Sequence, residues 1–252
     1  MFQQLSSIIR ITKPRHILRV LTSPSHALET FKYHYRRVSE RTFIEFWAKK
    51  WHRSSGDVYA AYQDYESNIA LWEEIKEKLA SYPSGYGMQM TRELPSLYLL
   101  TRLIEPDCIV ETGVASGASS AYILRALHDN RSGNLYSIDL PPDNLQTGKA
   151  SGWVVPQYLR SRWTLHIGDS RDLLEPILRK LGEIDCFIHD SLHTYEHMMW
   201  EFKTAWEYLH PGGLFLSHDV GANNAFFDFM KETGIAWKNY RVFHVLGGFQ
   251  KI

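Results

Sequence analysis

From about Asp107 onward, short apolar runs alternate with segments of helical periodicity, and this alternation constrains the fold more than any other feature of the chain. The predicted strands are residues 108–110, 135–138, 163–167, 184–188 and 214–216. Helical segments fill the intervals, which is typical of βαβ units and a parallel sheet. The sequence therefore predicts an α/β fold with a Rossmann-like, doubly wound and mostly parallel sheet.

The end of the chain departs from this pattern. A helix predicted over residues 193–209 ends at residues 210–213, because their proline and two glycines cannot continue it. Residues 241–252 form two extended pieces around Gly247 and Gly248. We expect these pieces to close the sheet as a C-terminal antiparallel hairpin.

The N-terminal part, up to about residue 82, has helical periodicity. Trp47 and Trp72 recur with other apolar side chains at three- and four-residue spacing, which predicts buried helix faces. Residues 82–87 are dense in turn-forming residues and indicate a join. We therefore predict a basic N-terminal helical cap over residues 1–84 and an α/β domain over residues 85–252.

The net charge of zero conceals an uneven distribution. Residues 1–56 contain 11 lysines and arginines against 3 acidic residues, which makes the first segment a basic arm on an acidic body. Such arms bind anionic lipids, nucleic acids, anionic substrates or the acidic face of their own domain. We expect the arm to dock on its own domain, with a peripheral membrane role as the alternative, and we expect no nucleic-acid partner.

The composition indicates a globular protein that is neither secreted nor membrane-spanning. No apolar stretch approaches the roughly 18 residues that cross a bilayer, and Arg10 and Lys13 interrupt the N-terminal apolar patch. Cys108 and Cys186 lie within apolar runs, which suits buried side chains better than a redox pair or metal ligands. We expect a cytoplasmic location, or a membrane-peripheral one through the arm. The sequence leaves open whether the chain forms a homo-oligomer.

A glycine loop follows the first predicted strand. Residues 110–117 read Val-Glu-Thr-Gly-Val-Ala-Ser-Gly and lead into a helix. Gly113 and Gly117 allow the backbone to approach a ligand without interference from a Cβ atom. The loop lacks the further glycine of a dinucleotide-binding loop, and a plain strand-to-helix turn is the alternative interpretation.

Carboxylates follow the next two predicted strands. Asp139 closes the second strand, where it could bind both hydroxyls of a ribose, and Asp169 follows the third, near where an adenine would lie. Each could instead cap a helix or a turn. In an open parallel sheet these strand ends meet at one edge, where ligands bind at the switch point between strands.

Together these motifs resemble the class I S-adenosylmethionine-dependent methyltransferases. The resemblance runs from about Gly87 to the end of the chain and is carried by residues 110–117, 137–139, 168–170 and 209–213. It implies that S-adenosyl-L-methionine is the cofactor. It further implies that the methionine portion is held by Glu111, Gly113 and Gly117, the ribose by Asp139 and the adenine side by Asp169. Residues 87–91, with Met90, resemble the segment that covers the cofactor in catechol-type members.

A second group of polar residues follows the fourth and fifth predicted strands. Asp190, His218 and Asp219 offer oxygen and nitrogen ligands around one point, where a divalent metal ion could bind a substrate hydroxyl. This group resembles the branch with sugar O-methyltransferases and cephalosporin-hydroxylase-like proteins. His218 stands where those relatives tend to have a carboxylate, so the resemblance leaves open magnesium, a softer metal or none.

The catalytic candidates lie in the same segment. Methyl transfer to an alcohol requires removal of the hydroxyl proton, and an imidazole titrates near the working pH. His193 is therefore the first candidate for the base, and Asp190 is the second. The predicted reaction is O-methylation of a small-molecule or sugar acceptor, whose identity the sequence does not reveal.

Two other functions stay open. A nicotinamide- or metal-dependent oxidoreductase could use a similar sheet, although Asp169 and the glycine spacing argue against a dinucleotide. A methyltransferase-like protein without activity could use the basic arm to bind a membrane or a partner, and His218 keeps that interpretation open. Glu111 and Asp139 favour a functional cofactor site.

Overall fold

A computed structural model of the protein describes residues 37–81, 90–141 and 149–252. Within these ranges the helices that precede the sheet are α1 (Glu40–Lys50), α2 (Ser55–Ser67), α3 (Ile69–Ala80) and α4 (Leu94–Ile104). The strands are β1 (Cys108–Thr112), β2 (Asn134–Asp139), β3 (Trp163–Ile167), β4 (Ile184–His189), β5 (Leu209–Ser217), β6 (Tyr240–Phe243) and β7 (Leu246–Gln250). The helices among the strands are α5 (Ala118–Asn130), α6 (Ser170–Leu181), α7 (Tyr195–Tyr208) and α8 (Ala225–Glu232), with short 3₁₀ helices at Gln157–Arg162 and Trp237–Asn239.

The strands form one sheet in the order β3-β2-β1-β4-β5-β7-β6. Strands β1 to β5 are parallel to one another, and β7 is antiparallel to both β5 and β6. The chain runs outward from β1 to β3 and then returns to β4 on the other side of β1. This arrangement confirms the predicted doubly wound, mostly parallel sheet, and its switch point lies between β1 and β4.

The C-terminal hairpin is present, but its turn lies elsewhere than expected. The turn is at His244 and Val245, and His244 takes a left-handed φ of 53°. Gly247 and Gly248 lie inside β7 instead, because side chains press against both positions. A Cβ atom at Gly248 would lie 2.7 Å from the Leu216 side chain, so this strand needs glycine for close packing rather than for a turn.

The predicted helix over residues 193–209 is shorter than expected. Helix α7 begins at Tyr195, and the Thr194 side chain caps it by accepting a hydrogen bond from the His197 amide at 3.4 Å. His193 therefore lies in the loop between β4 and α7. Strand β5 already begins at Leu209, directly after the helix.

The core lies on both faces of the central strands. Phe215 of β5 stacks on Phe249 of β7 with ring centroids 4.8 Å apart, and Phe187 of β4 packs against the same ring of Phe215 at 5.4 Å. Both faces of a central strand are buried in such a fold, which explains why these strands read as continuous apolar runs.

The N-terminal helices share this core. Trp72 of α3 stacks on Tyr122 of α5 with centroids 4.0 Å apart, and Trp47 of α1 is fully buried. The predicted burial of both tryptophans is confirmed. The predicted boundary between residues 84 and 85 and residues 1–36 of the basic arm lie outside the described residues.

In the part of the chain that the structure describes, no helix combines the length and the apolar character needed to cross a membrane.

Candidate active site

The predicted functional residues meet at the carboxyl ends of the parallel strands. Gly113 follows β1, Asp139 ends β2, Asp190 follows β4 and His218 follows β5. Because β1 and β4 are adjacent, these residues lie on the two sides of the switch point, where open α/β sheets bind ligands.

The glycine loop is shaped by close backbone contacts. Gly113 has a left-handed φ of 87°, and a Cβ atom there would lie 2.0 Å from the carbonyl oxygen of Asp190. Gly117 caps α5 with a φ of 88°, and a Cβ atom there would lie 2.6 Å from Cα of Gly152. Both positions therefore require glycine, and the loop touches the backbone of the loop after β4.

Asp139 holds the glycine loop from the side of β2. Its two carboxylate oxygens accept hydrogen bonds from the backbone amides of Val114 and Ala115, each at 3.2 Å. A carboxylate oxygen can accept more than one hydrogen bond. Asp139 is half-buried, so it can bind ligand hydroxyls while it holds the loop.

Glu111 lies beneath the loop rather than on its open face. The side chain is fully buried and accepts hydrogen bonds from Ser119 at 2.7 Å, Ser120 at 2.6 Å and Ser137 at 2.8 Å. Burial raises the pKa of this carboxyl group to about 7, because the three serine hydrogen bonds offset the burial only in part and the Asp190 charge adds to it. This geometry favours support of the loop over direct contact with a ligand.

The two remaining cofactor candidates lie at the margins of the crevice. Asp169 is exposed and caps α6, accepting a hydrogen bond from the amide of Arg171 at 2.8 Å. The cap uses Oδ1 of Asp169, so its Oδ2 is left for a ligand. Met90 is half-buried against the core, and residues 87–89 of the predicted covering segment lie outside the described residues.

His193 points its Nε2 atom toward Asp190. Nε2 lies 3.7 Å from Asp190 Oδ1, and this buried atom has no hydrogen-bond partner among the residues described. Burial, together with the neighbouring His189, lowers the pKa of His193. His193 is therefore a neutral imidazole at pH 7, with a lone pair that can accept a proton.

His218 lies between carboxylates. Its Nε2 donates to Glu93 Oε1 at 2.7 Å, and its Nδ1 lies 3.0 Å from Asp190 Oδ1 and 3.7 Å from Asp219 Oδ2. Burial on its own would lower the pKa of His218, but Asp190 and Glu93 outweigh that effect and raise the pKa to about 11. Without another cation nearby, this ring is charged at neutral pH.

Glu93 is a site residue that the sequence analysis missed. The residue precedes α4, is buried, and accepts a second hydrogen bond from His244 Nδ1 at 3.0 Å. The His218 hydrogen bond and charge outweigh its burial and lower the pKa of Glu93. No local pattern signals this role, because the partners of Glu93 lie more than a hundred residues away in the chain.

Three atoms that could bind a metal ion lie close together after β4 and β5. Atoms of Asp190, His193 and His218 all lie within 4.8 Å of one another. The predicted metal set was Asp190, His218 and Asp219. In the structure His193 joins the cluster, and the Asp219 carboxylate lies outside it.

Sequence comparison identifies a domain across these residues. Residues 110–220 match a family model described as a methyltransferase domain, which spans the strand ends from β1 to β5. No curated protein matches the chain in sequence.

Solved structures with similar folds are described as methyltransferases. An O-methyltransferase from Bacillus cereus, in complex with S-adenosylhomocysteine, has 16% identity and a TM-score of 0.55, over 72% of this chain and 91% of that one. A methyltransferase from Podospora anserina, also bound to S-adenosylhomocysteine, has 15% identity and a TM-score of 0.55, over 73% and 88% of the two chains. An O-methyltransferase of tomaymycin synthesis from Streptomyces achromogenes, in complex with S-adenosylmethionine, has 16% identity and a TM-score of 0.51, over 79% and 92%. At these identities the likeness shows the fold.

Proposed function

We propose that this chain is a class I methyltransferase that transfers a methyl group from S-adenosylmethionine to a hydroxyl of a small molecule or sugar. The observation that carries the proposal is the contact between the glycine loop and the loop after β4, where a Cβ atom at Gly113 would lie 2.0 Å from the Asp190 carbonyl oxygen. A cofactor on the first loop and an acceptor at the second would be adjacent. In-line methyl transfer requires that proximity.

Three features support S-adenosylmethionine as the cofactor. The amides of Val114 and Ala115 in the glycine loop hold the Asp139 carboxylate in place, and this carboxylate keeps lone pairs for ribose hydroxyls. Asp190 places negative charge near the position of a sulfonium ion. Proteins with the same fold were crystallised with this cofactor or its demethylated product.

The proposed chemistry uses His193 as the base. A bound S-adenosylmethionine would supply the methyl group and leave as S-adenosylhomocysteine. Nε2 of His193 would take the proton of the acceptor hydroxyl as its oxygen becomes a methyl ether, and would later release that proton to water. Burial without a hydrogen-bond partner keeps the Nε2 lone pair available, and Asp190 is the alternative base.

The donor atoms also fit a divalent metal ion. Asp190, His193 and His218 supply one carboxylate oxygen and two imidazole nitrogens within 4.8 Å of one another. Such a set suits zinc or iron better than magnesium, which prefers oxygen ligands. Glu93 would orient the His218 ring, and a bound ion would lower the pKa of the acceptor hydroxyl. His193 cannot bind a metal and accept the proton at once, so methyl transfer measured before and after chelation separates these roles.

The acceptor class and the location complete the proposal. The Streptomyces protein with this fold acts in tomaymycin synthesis, which supports a small-molecule acceptor for this chain. Cys108 and Cys186 are free thiols, which supports a cytoplasmic location.

Calorimetric titration of the cofactor-free protein with S-adenosylmethionine and, separately, with NAD tests the proposal. We expect micromolar binding of S-adenosylmethionine, no binding of NAD, and loss of the former in Asp139→Ala. Asp172→Ala is the control, because it removes an exposed carboxylate from the first turn of α6. Binding of NAD alone would favour the oxidoreductase, and binding of neither ligand would favour an inactive scaffold.

A further inference from the structure

A fully buried carboxylate lies beneath the two loops of the crevice. Glu201 is on α7, its side chain is wholly inaccessible to solvent, and the chemistry proposed above does not use it. It accepts four hydrogen bonds, which occupy the lone-pair positions that a carboxylate offers. Burial of a carboxylate costs desolvation free energy, which its hydrogen-bond partners only offset. Net stability is therefore a poor explanation of this network, and the geometry that it fixes is a better one.

One oxygen of Glu201 joins the ends of the two central strands. Oε2 accepts hydrogen bonds from Thr112 Oγ1 and from His189 Nδ1, each at 2.6 Å. Thr112 is the last residue of β1 and immediately precedes Gly113. His189 is the last residue of β4 and immediately precedes Asp190.

The other oxygen reaches the loop after β4. Oε1 accepts hydrogen bonds from Ser191 Oγ and from His197 Nε2, each at 2.9 Å. Ser191 lies between Asp190 and His193 in the chain. His197 Nε2 also lies 3.2 Å from Ser170 Oγ at the start of α6, next to Asp169. The network therefore contacts the ends of β1 and β4 and the start of α6.

We infer that Glu201 is a positioning residue that fixes the glycine loop and the loop after β4 relative to each other. The inference rests on the proposed function, because that function assigns cofactor binding to one loop and acceptor activation to the other. Direct strand pairing between β1 and β4 ends at Thr112 and His189, and one further backbone hydrogen bond, from the Asp190 amide to the Thr112 carbonyl at 2.8 Å, reaches the first residue of the loop after β4. Glu201 binds both of these terminal residues and Ser191 beyond them.

The consequence for methyl transfer is geometric. The donor carbon would be held by the glycine loop and the base by the loop after β4, and a misplacement of about 1 Å can cost roughly 100-fold in rate. One carboxylate that receives hydrogen bonds from both loops limits that displacement.

The first test is Glu201→Gln, which keeps the shape of the side chain. An amide has one acceptor oxygen, and its NH₂ group would face two hydrogen-bond donors. We expect the Kd for S-adenosylmethionine to rise about tenfold, as for other supporting residues. We expect faster amide exchange in residues 112–117 and in residues 190–194. Calorimetric titration and hydrogen-exchange mass spectrometry measure these effects.

Smaller substitutions separate the two connections and keep the test decisive if Glu201→Gln does not fold. Thr112→Val should weaken S-adenosylmethionine binding severalfold, and Thr112→Ser, which keeps the hydroxyl, should restore it. Ser191→Ala should speed exchange in residues 190–194 and leave the cofactor Kd within about twofold. Ser191→Thr should restore the slow exchange. Thr112→Val would then act on the cofactor Kd and Ser191→Ala on amide exchange near the loop after β4. A residue that only stabilised the fold as a whole would not separate these two measurements.

Asp129→Asn is the matched control. Asp129 is a partly buried carboxylate that, like Glu201, accepts hydrogen bonds from neighbouring side chains, here Tyr98 and Asn68, and it lies at the far end of α5. If Thr112→Val and Ser191→Ala only lower the thermal midpoint, as we expect for Asp129→Asn, the inference is overturned. If the wild-type protein binds no S-adenosylmethionine, the proposed function fails, whereas the exchange data still show whether Glu201 couples the two loops.

Discussion

Two buried glutamates flank the crevice, one on each side, and their charges differ. Glu111 is surrounded by serine hydroxyls, and burial raises its pKa to about 7. Glu201 is equally buried, but hydrogen bonds from His189 and His197 outweigh the burial and lower its pKa. The partners of a buried carboxyl group, rather than burial alone, therefore decide its charge.

The same contrast extends to the two halves of the crevice. The half proposed to bind the cofactor, called the cofactor half below, is formed by β1, β2 and α5 and is shaped by glycine conformations and neutral hydroxyls. The half proposed to bind the acceptor, called the acceptor half below, is formed by β4, β5 and α7 and is shaped by carboxylates and imidazoles. Substitutions in the first half should therefore act through shape, and those in the second through charge and proton transfer.

The largest effect should come from shape. Gly113→Ala should lower the free energy of unfolding by about 3 to 5 kcal/mol and abolish S-adenosylmethionine binding, because the new Cβ meets backbone 2.0 Å away. Gly182→Ala is the control, since Gly182 also has a positive φ, of 77°, but nothing within 4 Å of a Cβ atom. Urea unfolding measures both. Equal losses of unfolding free energy in the two variants would mean that the close backbone contact at Gly113 adds nothing to the strain of a positive φ.

Proton transfer should give the next effect. His193→Gln should slow methyl transfer by about 10²- to 10⁴-fold and leave the Kd for S-adenosylmethionine unchanged. Formation of S-adenosylhomocysteine with the best acceptor from a panel of phenols and sugars measures it. His128→Gln, at the far end of α5, should leave the rate unchanged. A weakened cofactor Kd in His193→Gln would mean that the two halves are not separate in function.

The two glutamates should give opposite pH dependences of stability. The folded pKa of Glu111 lies above the ordinary glutamate value of 4.5, so its contribution to stability is fully present below pH 4.5 and is lost as pH rises toward about 7. That rise corresponds to roughly 3 kcal/mol. Glu111→Gln should therefore gain stability relative to the wild type as pH rises from about 4.5 to about 7.

The sign reverses for Glu201. Its folded pKa lies below 4.5, so its contribution is present above that pH and is lost as pH falls. Glu201→Gln should therefore be most destabilised near neutral pH and least so in acid. Urea unfolding over the same pH range measures both variants, and parallel curves would contradict the contrast between the two residues.

The smallest effect should come from the margin of the cofactor half. Asp169→Ala should lower stability by about 1 kcal/mol through loss of the α6 cap. Asp169→Ser should restore the cap without the carboxylate. If Asp169 also lies by the adenine, both variants should weaken S-adenosylmethionine binding severalfold in calorimetric titration. Unchanged affinity in Asp169→Ser would limit this residue to capping.

Local patterns predicted much of the cofactor half. The strands follow from apolar runs, and Gly113 and Gly117 follow from the conformations that a strand-to-helix loop requires, both of which are properties of neighbouring residues. Asp139 could be located because parallel strands end at one edge. The left-handed φ of both glycines is in accord with that reasoning.

The acceptor half was harder to predict, because its geometry depends on distant pairs. Glu93 and His218 lie 125 residues apart, and Glu201 looks in the sequence like any acidic residue of an amphipathic helix. Likewise, Gly247 and Gly248 suggest a turn, whereas packing against Val220 and Leu216 determines their place inside β7. Such contacts appear only when the elements are brought together.

The order of the last three strands also affects how the chain can fold. β6 precedes β7 in the chain, yet β7 lies between β5 and β6 in the sheet, so β6 joins the sheet only through β7. Until β7 pairs with β5, the Tyr240 and Val242 side chains, both buried in the finished protein, stay exposed. A folding intermediate in which this hairpin has not yet docked should therefore be prone to aggregation.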